Sequence, residues 1–559
     1  MVFGKAPEDP VLTLKQKAKL FFVAHWRGAM SVIVPIVALV LVLPECLPHQ
    51  WCAYCLIIMA FFWVTECIPL PVTSFLPMII FPITGVNSTS ETCKAYMSDS
   101  LMMFVGSLIL ATCVEQSGLH IRLAYCAVRT IGFTHFRLLL SMCCVTMFVS
   151  MWLTNTAAAT MMVPINFAVL RVFEQQKLLK IYDTTPDGEK IASDITTCYF
   201  CAAAYSATIG GIGTLVGTAS NLVSKGLLQK SYPASPEYYS FPKFSAFTIP
   251  LMILLEASMF LSCIVVFLGW MRPNSAAAKK AIITPEGIKA AKAEVEANWI
   301  KLGKVTFWEY MVIILFGGSM VLFFCRSPQM FTGWGDFLEK TFKTKPKFIR
   351  DSSLAALVGF LMFLAPSNLN FFKNFTVKYY EQLSKKPVTS VIDFPKMDAT
   401  LPYSFMFLLG GGFALSDAAK KSGLNEKIGQ SLNMLKACPN VLVILFIIIV
   451  VVFVTNFASN VAVCNVFVPL AMQLAKQIDR NPLWYNLAGG LSSSFCFMLP
   501  VGTPGNLVVQ SAANIPTSKM IIAGFLPTVF CIILTWLLTY LWAPIIWSDL
   551  LTVPDWAHT

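Results

Sequence analysis

Charge is what this sequence has least of. Only 13% of its 559 residues are Asp, Glu, Lys or Arg, against 56% hydrophobic, and the mean hydropathy is +0.68. A soluble domain carries about a quarter charged residues, so a soluble fold is excluded. Four stretches hold no charged residue at all: 138–170, 198–224, 437–475 and 483–518. Histidine is scarce as well. His25, His49, His120, His135 and His558 all lie outside those four stretches, and neither H-E-x-x-H nor G-x-S-x-G occurs. Without acid, base or metal ligands near its polar interruptions, the chain reads as no enzyme and as needing no cofactor. The net charge of +12 does not indicate nucleic acid. The lysines sit in loops beside apolar runs, where the positive-inside rule places them. Cleavage of a leader is not expected either, because the first apolar run is long enough to stay as an anchor. The CxxC pairs Cys52/Cys55 and Cys198/Cys201 lie in apolar segments and read as buried thiols.

Apolar runs of bilayer-crossing length, by contrast, are abundant. They predict an all-α polytopic membrane protein, with about 11 transmembrane helices of roughly 20 residues each plus two re-entrant hairpins. Spans are expected near 30–47, 51–69, 72–86, 99–117, 243–271, 306–325, 353–367, 401–420 and 518–545. Apolar hairpins fill 137–171 and 439–475, and broken spans fill 198–228 and 483–512. The polar stretch TPEGIKAAKAEVEANW reads as a surface helix, capped by Thr284 with Pro285 in its first turn.

The two halves repeat. One fixed offset relates Gly106 to Gly411, SGL at 117–119 to SGL at 422–424, Asn155 to Asn460, and Pro164 to Pro469. A second offset relates GTASN (217–221) to GTPGN (502–506). The triplet Thr154-Asn155-Thr156 thus has a partner in Ser459-Asn460-Val461. Internal duplication with inverted topology is the plan of many secondary transporters. With a basic cytoplasmic N-terminus, the Lys-rich 272–305 linker is also cytoplasmic and the C-terminus is external. Asn87-Ser88-Thr89 then forms an external glycosylation sequon. Irregular backbone at membrane depth is tolerated only where it lines a cavity or is buried in protein. The hairpin tips and the two Gly-Thr-x-x-Asn breaks are therefore the candidate binding elements. Their free N–H groups suit an anion, and their carbonyls suit small cations. Two further acids, Glu66 and Glu256, fall inside apolar runs and draw suspicion on that account. A channel or a receptor is less consistent with paired inverted hairpins than alternating access.

Paired [ST]-N-[TV] hairpin motifs, each followed by a Gly-Thr-x-x-Asn break, resemble those of the divalent anion–sodium symporter family. LLGGGFALSDAAKKSGL (408–424) and PDWA (554–557) resemble its animal di- and tricarboxylate branch, the INDY-type citrate transporters. The resemblance covers nearly the whole chain. It implies an elevator-type transporter of the plasma membrane that dimerises through a scaffold. The implied division is a cytoplasmic arm (1–29), scaffold spans (30–136), transport-domain half 1 (137–271), a linker (272–305), scaffold spans (306–436) and transport-domain half 2 (437–559). By motif, the carboxylate substrate would meet Asn155, Thr156, Thr218, Ser459, Asn460, Val461, Thr503 and Pro504. One sodium site would use Ser150, Thr154, Asn155 and Gly217, and a second Thr455, Ala458, Asn460 and Gly502. The sequence departs from the family pattern around these cation ligands: Thr154 replaces Ser, Asn456 replaces Glu, and Cys464-Asn465 replaces a Thr pair. The implied activity is secondary active transport of di- and tricarboxylates with sodium as the candidate coupling ion. The alternatives are a sodium-independent exchanger or proton-linked carrier, and sulfate is the rival substrate. The partners implied are a small carboxylate, the lipid bilayer and a second copy of the chain.

Overall fold

The computed structural model describes residues 13–557, apart from 43–44, 186–187, 272–273, 275–282, 346, 380–382, 384–386, 432–435 and 437. Helix begins earlier than expected. α1 runs Leu14–Ala38, because Thr13 and Gln16 form a capping box ahead of the apolar run. The expected polar arm at 1–29 is therefore helical from Leu14, with a non-helical residue at His25; residues 1–12 lie outside the described ones. α2 (Pro48–Thr65) ends at Glu66, whose φ of 49° caps the helix in the left-handed region. That places Glu66 at a span end rather than inside one. The expected 72–86 span splits into short helices Leu70–Thr73 and Leu76–Ile83, since four prolines (Pro69, Pro71, Pro77 and Pro82) punctuate it. α3 is Asp99–Ser117 and α4 is Leu119–Ile131.

The first half continues with α5 (His135–Ser150) and α6 (Asn155–Gln175), joined by a short turn at the TNT triplet. α7 (Asp194–Gly211) and α8 (Ala219–Ser231) are the two pieces of the broken span, and α9 is Phe241–Val266. α10 (Pro285–Leu302) is the expected surface helix, with Thr284 accepting from Gly287 N. α11 (Phe307–Cys325), α12 (Asp351–Leu364) and α13 (Ser404–Lys421) follow. The second half repeats the pattern: α14 (Asn440–Thr455), α15 (Asn460–Gln477), α16 (Pro482–Ser492), α17 (Pro504–Ala513) and α18 (Thr517–Leu541). Among the described residues, five helical segments are long and apolar enough to cross a bilayer, and seven if two bent pairs count as one span each. Shorter apolar helices, α5, α12 and α14 among them, occupy other expected spans.

The chain is not purely helical. Tyr182–Thr184 (β1) and Lys190–Ala192 (β2) form an antiparallel hairpin, with Tyr182 opposite Ala192. This hairpin joins the two halves, since Ala192 N donates to Asn514 O and Lys519 Nζ to Ala192 O. The centre of the core belongs to the two pre-break helices. α7 is buried at every residue from Ile195 to Gly211, and α16 along its whole length. Small residues make this possible: a Cβ on Gly210 would collide with the Met147 carbonyl of α5. The CxxC thiols Cys52, Cys55, Cys198 and Cys201 are all buried. Asn87, the acceptor of the expected sequon, is buried too, held by Asp417 and Lys421.

Candidate functional site

Both hairpin tips use the same construction. In the first half the Ser150 hydroxyl lies 2.6 Å from Ala207 O and 3.0 Å from Asn155 Oδ1. In the second, the Thr455 hydroxyl lies 2.6 Å from Ser493 O and 2.8 Å from Asn460 Oδ1. Each hairpin is thereby fastened to the broken helix behind it. A further tie lies close by in each half. Thr214 Oγ1 donates to Met151 O at 2.5 Å, while Asn456 Oδ1 accepts from Met498 N at 3.0 Å. Asn456 thus has a structural task in place of the acid expected there.

The breaks themselves are held by the last residue of each motif. Asn221 Nδ2 donates to Gly211 O (3.2 Å) and Thr214 O (2.8 Å). Asn506 Nδ2 donates to Cys496 O (3.0 Å) and Leu499 O (3.1 Å). The matching bond pairs identify Gly211 with Cys496 and Thr214 with Leu499. Asn221→Ala or Asn506→Ala would strip two buried carbonyls of their donor. An expected loss of about 1–3 kcal/mol in unfolding free energy follows. Thermal unfolding in detergent checks it, and an unchanged midpoint would remove the clamp role.

The post-break helices pair crosswise between the two halves. The start of α17 lies against the start of α6, where a Cβ on Gly505 would stand 3.5 Å from Ala159 Cβ and 3.6 Å from Asn155 O. The start of α8 lies against α15, with Cys464 Sγ 3.6 Å from Ser220 O. The predicted residues sit at these starts. Thr154, Thr218, Ser459 and Thr503 are the N-caps, and Asn155, Asn460 and Pro504 the first helical residues. Thr154 Oγ1 accepts from Ala157 N, so its side chain caps the helix. Thr503 Oγ1 does the same for Asn506 N. Thr156 and Val461 follow directly, the first half-exposed and the second buried. The first N–H groups of a helix have no intrahelical partner. Here those are on Asn155 and Thr156, Ala219 and Ser220, Asn460 and Val461, and Gly505. No ionised side chain lies in the segments that carry them. Each start supplies about half a positive charge, so the arrangement can hold an anion through neutral donors.

The residues around Gly217 fit an alkali cation. A Cβ there would lie 2.5 Å from Gly211 O, 2.9 Å from Met151 O and 3.0 Å from Ser150 O. Asn155 Oδ1, which accepts from Ser150 Oγ, stands against Gly211 next to these carbonyls, and all are hard oxygens. The second cradle differs. A Cβ on Gly502 would collide with Thr455 O and with the thiol of Cys496. Sulfur stands where the first cradle offers only a glycine's backbone, and a thiol is a poor ligand for a hard cation. Ala458 is buried in the turn and offers only backbone. Sequence reasoning reached the motif ends but missed Gly211, Cys496 and the receiving carbonyls of Ala207 and Ser493. Comparing the two halves six residues before Gly217 and Gly502 would have exposed the Gly211–Cys496 difference.

A family model described as "Sodium:sulfate symporter transmembrane region" matches residues 23–548. The Drosophila melanogaster protein "I'm not dead yet" is 36% identical, covering 99% of this chain and 94% of its own length. Human "Solute carrier family 13 member 2" is 32% identical over 96% of both chains. The rat "Na(+)/citrate cotransporter" is 31% identical over 91% of this chain and 92% of its own. Among solved structures, the Alcanivorax borkumensis YdaH transporter superposes with a TM-score of 0.51 at 14% identity, covering 81% of this chain and 86% of that one. Neisseria gonorrhoeae MtrF gives 0.50 at 12% identity, covering 85% of each. These two likenesses concern the fold alone.

Proposed function

The chain belongs to the sodium:sulfate symporter family and to its di- and tricarboxylate branch, and from that premise we propose that it is a secondary active transporter of di- and tricarboxylates in the plasma membrane. One observation carries the reading. Post-break helix starts pair between the two halves, α6 with α17 and α8 with α15, beside the matched Ser150–Asn155 and Thr455–Asn460 pairs, and no ionised side chain lies in these segments. Such a site binds carboxylates by amide and backbone donors and catalyses no bond change. Substrate contacts fall to Asn155, Thr156, Thr218, Ser459, Asn460, Val461, Thr503 and Pro504. The transport halves (137–271 and 437–559) carry this site past the scaffold spans (30–136 and 306–436) as an elevator, in a homodimer. Uptake of labelled citrate, succinate and sulfate into proteoliposomes, with and without a sodium gradient, tests it. Citrate or succinate uptake is expected; uptake of sulfate alone would overturn the reading.

Coupling divides between the two cradles. The first, around Gly217, holds one sodium ion through Ser150, Asn155 and neighbouring carbonyls. The second, at Thr455, Asn460 and Gly502, is blocked for sodium by Cys496. Cys496→Gly gives the second cradle the first one's composition. The expected result is a steeper sodium response, with a Hill coefficient rising from about one toward two, and a larger sodium-induced rise in melting temperature. An unchanged response in both measurements would remove the thiol from the argument.

A further inference from the structure

Glu256 lies in the middle of α9, 6% exposed, inside a long apolar helix. Its Oε1 accepts from Ser206 Oγ at 2.6 Å, while its buried Oε2 has no hydrogen-bond partner. No salt bridge involves it among the described residues. The titratable groups facing it are thiols: Cys143 and Cys144 on α5, and Cys263 on α9 itself. α7 contributes the Ser206 hydroxyl, and the adjacent Tyr205 points instead to Met520 O. The charged groups of the other helices packed on α9 are engaged elsewhere. Lys519 of α18 pairs with Asp194, and Glu309 of α11 with Arg122. An ionised carboxylate here has no counter-cation, and burying one uncompensated is costly.

Its position ties it to the anion site. Ser206 immediately precedes Ala207, whose carbonyl takes the Ser150 hydroxyl that also meets Asn155 Oδ1. Cys143, on the other side, lies two turns below Ser150 on the same helix. The carboxyl therefore touches both helices, α5 and α7, whose junction forms the first half of the site.

From this geometry we propose that Glu256 is a proton-binding site that couples carboxylate transport to proton movement. The step is an acid–base exchange: the carboxylate takes a proton from a hydronium ion of the bathing water, one hydronium O–H bond breaks as the carboxyl O–H bond forms, neutral water is left behind, and the local charge goes from negative to zero. A di- or trianion bound at the neighbouring helix starts repels the carboxylate and so favours its protonated form. By linkage, the proton favours anion binding by the same factor. The inference rests on the carboxylate reading above. It supplies the charge compensation that a single sodium cradle leaves incomplete for a multivalent anion.

The test uses wild-type proteoliposomes with a pH-sensitive dye trapped inside and fumarate as substrate. Both acid groups of fumarate ionise below about pH 5, so its own charge is constant between pH 6.5 and 8.5. Fumarate entry is expected to acidify the lumen, and its initial rate to rise as external pH falls, by up to about tenfold per unit for one proton. In Glu256→Gln the acidification is expected to vanish and residual uptake to become independent of pH. Glu256→Asp, which keeps an acid, is expected to retain proton entry with a displaced pH profile. Proton entry per fumarate unchanged in Glu256→Gln would overturn the proposal. So would wild-type uptake of fumarate or citrate without acidification, which leaves the carboxylate reading standing. Absence of any carboxylate uptake by the wild type would overturn both.

Discussion

Asn155→Ala and Asn460→Ala are each expected to remove most carboxylate uptake while leaving the protein folded. The hydrogen bonds explain both halves of that result. Each Asn oxygen receives a hydroxyl that has a second acceptor, Ala207 O for Ser150 and Ser493 O for Thr455. Cutting back either Asn therefore strands no buried donor on its neighbour, and the hairpin stays fastened to its broken helix. What is lost is the side-chain amide proposed to contact the substrate, which in Asn460 also donates to Ser494 O at 3.3 Å. A hydrogen bond to a charged group contributes about 1.5–3 kcal/mol, so binding is expected to weaken roughly tenfold to hundredfold. Initial rates of citrate uptake, set beside melting temperatures in detergent, check the two parts separately. Near-normal uptake in both variants would dissolve the site. Uptake lost together with folding would make these residues structural.

The largest effect on stability is expected at a buried ion cluster that ties α8 to α11 and α12. Lys225 of α8 bonds Asp351 at the start of α12 at 2.6 Å, and Arg326 at the end of α11 bonds the same carboxylate at 2.5 Å. Glu237 completes the cluster, paired with Arg326 and lying 3.8 Å from Lys225. All four side chains are nearly buried. Asp351→Ala leaves two cations facing one carboxylate. Breaking a buried pair by removing one partner costs about 3–5 kcal/mol, because the remaining charge has neither water nor a counter-ion. Lys225→Met with Asp351→Leu removes a charge of each sign and is expected to be much less damaging than Asp351→Ala. A double-mutant cycle on thermal unfolding measures this, and strict additivity would show that the pair does not interact. The same cluster bears on movement. α8 begins at the substrate site, while α11 and α12 belong to the proposed scaffold, so an elevator step has to part Lys225 from Asp351. The double variant is expected to change the rate of exchange more than the affinity for citrate.

Much of this protein was legible in its sequence, for identifiable reasons. Scarce charge and long apolar runs are direct consequences of a hydrocarbon solvent, and they established the membrane class. A repeat survives as fixed offsets, so the Asn155/Asn460 and Gly217/Gly502 pairs were visible without coordinates. Thr284 and Pro285 are local signals for a helix start, and α10 begins there. Another local signal was underweighted. The Thr13 and Gln16 capping box starts α1 within the expected arm, ahead of the expected first span. Tertiary structure decided everything that depends on which side chains meet across long separations. Hydrogen-bond partners such as Ser150 and Ala207, or Thr455 and Ser493, come from different helices, and no local pattern encodes their approach. The inequality of the two cradles follows from one side chain, Cys496, pressing on Gly502 where Gly211 presents only backbone. Glu256 read as one acid in an apolar run; its meaning comes from α7 and α5 closing over it. Sequence periodicity reports which face of a helix avoids water. Where two such faces touch, and whether a charge between them finds a partner, is settled only by packing.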